Sequence, residues 1–338
     1  MPGIVIHPEV EAAIKSASPI VVLESAVLTS GLPNEPWHED WSRDALQTSV
    51  PDWDPSSPLA SELGRRMEAE VRARGAVPCT TAVLQGQLHL GIDEDQLQKL
   101  VKRGHGHKAG ATTMAMAIES GGSAGTTVSG ALIACRHMHA SSAHSDWAPA
   151  MATGGIGGVH RNWQVRPDIS TDLRTLAATR ACVVSAGSKS ILDTDATLEL
   201  LESLGVPVLG WRTDQWPAFT AASRPDAPTV QRVDDAAQVK RICSAHWNTL
   251  DLNTCVLLAN PIDSHLALNP DELDNLVKAA EEAAAAGGIG GTDRTPFLLG
   301  HLAASTDGRS VAANLALLLA NARRAADIAC LLAGPHLA

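Results

Sequence analysis

Four glycines fall within five residues of Thr153-Gly154-Gly155-Ile156-Gly157-Gly158-Val159-His160-Arg161, so the backbone there can approach a ligand closely. A histidine and an arginine follow at once, and the carboxylates Asp168 and Asp172 flank Ser170 shortly after. Further on, the apolar run Cys182-Val183-Val184 ends in Ser185-Ala186-Gly187-Ser188-Lys189-Ser190. Bare backbone amides, cationic side chains, hard carboxylate oxygens and a lysine at a strand end suit a phosphorylated sugar. They also suggest covalent chemistry through lysine. Neither segment is a nucleotide motif. The glycine cluster matches half of a dinucleotide fingerprint, and Cys182 stands where a P-loop needs its first glycine. By itself the cluster reads equally well as a structural turn.

These residues need a scaffold, and the rest of the chain predicts one. Ile20 to Glu24, Val77 to Leu84, Cys182 to Ala186, Val206 to Trp211 and Cys255 to Asn260 read as strands, with a further strand ending near Met151. Between them, Leu63, Met67 and Val71 recur at helical spacing within Glu62 to Arg74, which Gly75 ends. Asn269-Pro270-Asp271-Glu272 has the cap, proline and acid of a helix start, and that helix runs to Gly287-Gly288. A last helix covers about Ser310 to Leu332. Such alternation predicts an α/β fold with a largely parallel sheet covered on both sides. Ligands in such sheets lie beyond the carboxyl ends of the strands, where Glu24-Ser25, Ser185 to Lys189 and Asn260 fall.

Two stretches interrupt the pattern. Asn34 to Pro58 carries Trp37, Trp41 and Trp53 among acids and prolines, and reads as a long loop with at most a short helix. Arg136 to Pro149 holds His137, His139 and His144, whose spacing is too nonspecific to assign a metal; the same applies to His105 and His107.

Lys plus Arg number 26 against 37 Asp plus Glu, a net charge of −11 that argues against nucleic-acid binding. A phosphate must therefore be held locally. The six cysteines are scattered without a C-x-x-C, so buried free thiols in a reducing compartment are expected. The amino terminus lacks a basic region followed by an apolar core, and no apolar run reaches the length of a spanning helix. A soluble, cytoplasmic protein is expected, with no membrane partner.

The chain resembles the pseudouridine-5′-phosphate glycosidase family. The likeness is carried by Val22-Leu23-Glu24-Ser25 with Ser30-Gly31-Leu32-Pro33, Gly75-Ala76-Val77-Pro78, Thr153 to Arg161, Asp168 to Asp172, Ser185 to Asp193, Asn260-Pro261-Ile262 and Thr295 to Leu299. These blocks span nearly the whole chain in order. The resemblance implies a three-layer α/β/α sandwich over residues 1–338, a homotrimer, and a divalent metal in each site, usually Mn²⁺ but also Mg²⁺ or another. It implies a lyase-type C-glycosidase that splits pseudouridine 5′-phosphate into uracil and ribose 5-phosphate. A C-glycosidic bond offers no heteroatom lone pair to ease departure of the base. A lysine amine at C1′ supplies an iminium electron sink instead.

By resemblance, Lys189 is that nucleophile and Glu24 the acid that protonates the departing group, a role that a raised pKa at an apolar strand end would suit. Asp168 matches the metal ligand, with waters completing the shell. Ser170, Thr171 and Asp172 match a substrate-contacting segment, and Thr153 and His160 belong to the matching glycine-rich block. Lys108 matches a lysine beside the ribose phosphate, supported by Gly125 to Val128 at the expected distance, with Val128 as a contact. Asn314 matches an asparagine that reads the base, and Asn321 falls on the same helical face. Ordinary readings stand beside these: an ion-paired Glu24, a packing Asn314, a solvated Lys108.

The chain also departs from the family pattern. Where the family usually follows its second lysine with Ser-Arg-Arg-Asp, Lys108 is followed by Ala109-Gly110-Ala111-Thr112-Thr113. Insertions are expected at 34–58 and 136–150. These departures leave the base open: uracil is the default, and a C-nucleoside synthase using another planar base is the alternative. A non-catalytic sugar-phosphate binding protein is the reading from a different class.

Overall fold

The computed structural model describes residues 3–103, 108–161, 163–165, 167–289 and 294–333; His105 and His107 lie outside them. The strands are β1 (Ile4–Ile6), β2 (Ile20–Leu23), β3 (Val77–Leu84), β4 (Gln87–Leu90), β5 (Ala124–Gly125) and β6 (Ala150–Ala152). They continue with β7 (Val159–His160), β8 (Cys182–Ser185), β9 (Leu192–Asp193), β10 (Val208–Trp211), β11 (Gln231–Val233) and β12 (Val256–Ala259). The helices are α1 (Pro8–Lys15), α2 (Arg43–Ser49), α3 (Leu59–Arg72), α4 (Glu94–Lys102), α5 (Met114–Glu119) and α6 (Val128–Ser141). After them come α7 (Thr171–Leu176), α8 (Thr194–Ser203), α9 (Ala236–Ser244), α10 (Pro270–Ala286), α11 (Arg294–Ser305) and α12 (Arg309–Ala333).

A ten-stranded sheet runs β1-β4-β3-β2-β6-β8-β12-β10-β11, with β5 on β3. From β3 to β11 every neighbouring pair is parallel. The other end is mixed, since β3 pairs antiparallel with both β4 and β5. Side chains along the inner strands alternate between two cores, as a period of two demands. Val21, Leu23, Val184 and Leu258 face the core under α3, α9 and α12; Ile20, Val22, Val183 and Leu257 face the core under α1, α6 and α7. Those runs are apolar throughout because helices cover both faces. A smaller third cluster joins α10 and α11 to Ile191 and Leu192.

The expected strands and helices are present with small shifts at their ends. The strand read from Val206 begins at Val208, because Pro207 has no amide for the ladder. Asn269 caps α10 through Oδ1, which accepts from the amides of Asp271 and Glu272. One expectation needs correcting. Arg136 to Pro149 is not a connection throughout, since α6 continues to Ser141. Ala134, Cys135 and Met138 bury its inner face, and His139 Nδ1 bonds the Trp147 carbonyl at 2.7 Å. Asn34 to Pro58 contains α2 and docks where α11 turns into α12. A Cβ on Gly308 would come within 3 Å of the Trp37 and Trp41 rings, and the Ser42 amide donates to the Asp307 carbonyl. Among the described residues no helix is long and apolar enough to cross a membrane.

Candidate active site

The carboxyl ends of β2, β6 and β8 open on one cleft of about 280 Å³. Beyond β6 and β8 the chain continues as two paired segments. The Thr153 amide donates to Val184, Ala186 to Gly154, Ile156 to Gly187 and Lys189 to Ile156, at 2.7 to 3.2 Å. The ladder thus runs past the strands and carries the glycine-rich turn and Lys189 into the cleft together. Gly187 makes the turn possible: its φ is +91°, and a Cβ would strike the Pro217 carbonyl.

Glu24 enters from the end of β2 and is 6% exposed. Its Oε1 accepts from the Thr153 hydroxyl at 3.0 Å and its Oε2 from the Val27 amide at 3.3 Å. Burial pushes the Glu24 carboxyl above its ordinary range, against the opposing pull of the Lys189 charge and the Thr153 hydrogen bond. A carboxyl shifted upward by burial and placed on one cleft with a lysine suits general acid catalysis.

Asp172 lies across the cleft, equally buried, at the start of α7. Its two oxygens accept from the backbone amides of Ser129 and Gly157, each at 2.9 Å. It thereby ties the first turn of α6 to the glycine loop, where a negative charge favours the helix amino terminus. Gly157 must be glycine, because a Cβ would sit 2.7 Å from Asp172 Oδ2. Ser170 caps α7 through its hydroxyl, and Ser170, Thr171, Val128 and Lys108 line the cleft. Lys108 is brought there by Ala109, whose amide donates to Gly125 and whose carbonyl accepts from Thr127. The Ala109 to Thr113 segment closes on itself through the Thr113 hydroxyl, which donates to the Lys108 carbonyl at 2.6 Å.

His160 pairs with Leu192 in the short β7–β9 ladder and lines the same cleft. Burial holds its pKa below the ordinary range, although Asp168 pulls the other way. Asp168 itself stands at the rim, not in the cleft: its side chain is 49% exposed, and its Oδ2 lies 4.0 Å from His160 Nε2. Among the described residues no three His, Cys, Asp or Glu side chains gather to hold a metal. A lone, water-facing carboxylate fits a hard cation that keeps most of its waters and is bound jointly with a substrate phosphate.

The structure thus brings Glu24, Lys189, Lys108, Val128, His160, Ser170, Thr171, Asp172 and Asn314 to one cleft. Thr153 lies behind it, fully buried, with its hydroxyl engaged by Glu24. Asn321 is also behind: its Nδ2 donates to the Thr153 carbonyl at 2.8 Å and its Oδ1 accepts from Asn260 Nδ2 at 2.9 Å. The sequence reading missed Phe219. Its amide donates to Ala186, its φ is +62°, and its ring forms part of the cleft wall against Gly155. No pattern around Trp216-Pro217-Ala218 signals that conformation.

A family model described as "Indigoidine synthase A like protein" matches residues 55–331. The pseudouridine-5′-phosphate glycosidase of Dinoroseobacter shibae is 38% identical over 325 residues, covering 96% of this chain and 95% of that protein. The chain belongs to the pseudouridine-5′-phosphate glycosidase family. The glycosidase of Sorangium cellulosum is likewise 38% identical, over 96% of this chain and 92% of its own. Among solved structures, an indigoidine synthase A-like protein from Thermotoga maritima superposes with a TM-score of 0.79 at 30% identity, covering 98% of this chain and 97% of that one. The prealnumycin C-glycosynthase AlnA, in complex with ribulose 5-phosphate, superposes with a TM-score of 0.80 at 32% identity, over 97% of this chain and 96% of its own. The family therefore includes members named for breaking and for making C-glycosidic bonds.

Proposed function

We propose that this protein makes or breaks the C-glycosidic bond between ribose 5-phosphate and a planar base, through a covalent adduct on Lys189. The observation that carries the reading is a buried Glu24, its carboxyl pushed up by burial, on the same cleft as Lys189 and Lys108. In the cleavage direction the Lys189 amine attacks C1′ as Glu24 gives its proton to the departing ring oxygen. The Glu24 carboxylate takes a proton from the new C–N nitrogen, whose lone pair then forms C=N as the C1′–C bond breaks; the base carbon takes the bonding pair and that proton from Glu24. Water hydrolyses the iminium, returning the amine and releasing ribose 5-phosphate. Synthesis is the reverse, joining ribose 5-phosphate to an acceptor C–H with loss of one water.

Lys108, on the lining of the cleft, suits the phosphate end of the sugar. Asp168 would hold a divalent cation, Mn²⁺ or Mg²⁺, which neutralises phosphate charge when bound. Uracil is the reference base, and a homotrimer is the assembly we propose. Borohydride reduction of protein mixed with ribose 5-phosphate, followed by digestion, tests the reading. An adduct on Lys189 is expected; an adduct elsewhere, or none, rejects it. A sugar-phosphate binding protein would likewise give none.

A further inference from the structure

Arg161 follows His160 in the glycine-rich block, and its residue type alone would suit a phosphate. The fold sends it elsewhere. His160 lines the sugar cleft, whereas Arg161 lines a separate pocket of about 430 Å³. Ser188 and Ser190 line that pocket and Lys189 lines the cleft, so one short segment separates the two spaces.

In the separate pocket Arg161 Nη2 donates to the Ser190 carbonyl at 3.3 Å and to Asp274 Oδ1 of α10 at 2.9 Å. The other Asp274 oxygen accepts from Arg224 at 2.7 Å, and Arg224 also pairs with Asp271 at 2.6 Å. Asp274 thus carries a guanidinium on each oxygen. Charge-assisted bonds of this kind hold a side chain more firmly than neutral ones.

Lys189 is thereby bounded on both sides. Before it, Ser188 Oγ accepts from the buried Trp216 Nε1 at 3.4 Å, and the Lys189 amide itself donates to Ile156. After it, Arg161 holds the Ser190 carbonyl, and Ile191 and Leu192 are buried with Leu273 and Val277 of α10. The backbone that follows Lys189 takes its place from α10, with one guanidinium as the polar link.

We propose that Arg161 is a positioning residue: joined to Asp274 and Arg224, it sets the backbone beside Lys189 so that the amine meets C1′ of the sugar, without touching the substrate. This rests on the Lys189 reading above. None of the three residues lies on the cleft lining, so any loss on their removal must pass through the Lys189 segment.

The test follows the rate at which ribose 5-phosphate, saturating and with Mn²⁺, is trapped on Lys189 by borohydride in a time course. Arg161→Ala should slow trapping by about ten- to hundredfold, the effect of a reacting group displaced by about an ångström. Asp274→Asn keeps the shape without the charge and should slow it less. The combined variant should be no slower than Arg161→Ala alone, because the residues act in one chain. Millimolar guanidinium should enter the space that Arg161→Ala leaves beside the open pocket and restore part of the rate. Noncovalent ribose 5-phosphate binding, read by calorimetry with Lys189→Ala added to each protein, should not change.

Weaker sugar binding in Arg161→Ala would make the residue a phosphate contact, and a lower Tm with unchanged trapping would make it a structural brace. Either result overturns the inference while Lys189 stands. If Arg161→Ala does not fold, Asp274→Asn decides, and an unchanged trapping rate there rejects the proposal. A wild type that gives no Lys189 adduct rejects the lysine reading and this inference with it.

Discussion

The sugar cleft and the cavity beside it share a wall but are built from different material. Glu24, Lys189 and the glycine loop hang from adjacent parallel strands, and the pairing that aligns those strands continues into the loops themselves. The neighbouring cavity is lined instead by the 28–41 segment and by the facing ends of α11 and α12. A hydrogen-bonded ladder fixes its ends closely, whereas loops and helix ends tolerate exchange. The residues that end the strands can therefore be held constant while the lining of the neighbouring cavity is rebuilt around them. The tryptophans follow the same division: Trp37 and Trp53 are buried in the packing of the 34–58 segment, and Trp41 lines the cavity.

The comparison breaks most sharply at Lys189. Lys189→Ala should abolish turnover in both directions, because the proposed reading places Lys108, the other lysine on the cleft, at the sugar phosphate and not at C1′; product mass spectrometry reads it, and residual activity would reject Lys189 as the nucleophile. Glu24→Gln should lower kcat by roughly 10²–10⁴, the usual contribution of a positioned acid, with ribose 5-phosphate affinity retained in calorimetry. Asn321→Ala leaves the Thr153 carbonyl and Asn260 amide without their partner and should cost roughly 2–4 kcal/mol in urea unfolding, loosening the cleft from behind. Asp168→Ala should raise KM for ribose 5-phosphate more than it lowers kcat, with less Mn²⁺ retained by elemental analysis.

The smallest effect is a pH dependence. The folded pKa of Glu24 lies above its unfolded value because burial disfavours the charge. Below the unfolded value both states hold the proton, and the full stability is present. As the pH rises through the folded pKa that stability is lost, since the buried site must then carry an anion. Glu24→Gln has no proton to lose. Its Tm relative to the wild type should climb from acidic to neutral pH, and a constant difference would mean that Glu24 is not perturbed.

Much of this was written in local sequence. Apolar runs of strand length, broken by capped helices, specify a parallel sheet, because only strands covered on both faces are apolar at every position. The polar residues that end those runs then fall at one edge, so Glu24, the glycine loop and Lys189 were legible as a group. Residue types also pointed to the chemistry proposed, since few side chains besides lysine form an iminium. Tertiary structure decided the rest. Thr153 and Asn321 proved to support the cleft from behind, because which face of a turn or helix meets the cavity depends on its neighbours. Asp168 stands at the rim for the same reason, two residues before the cap of α7. The left-handed Phe219 is held by the Ala186 carbonyl, and the large cavity next to it arises where 28–41, α11 and α12 converge. Their lining comes from segments far apart in the chain, and no local periodicity records a space enclosed by distant elements.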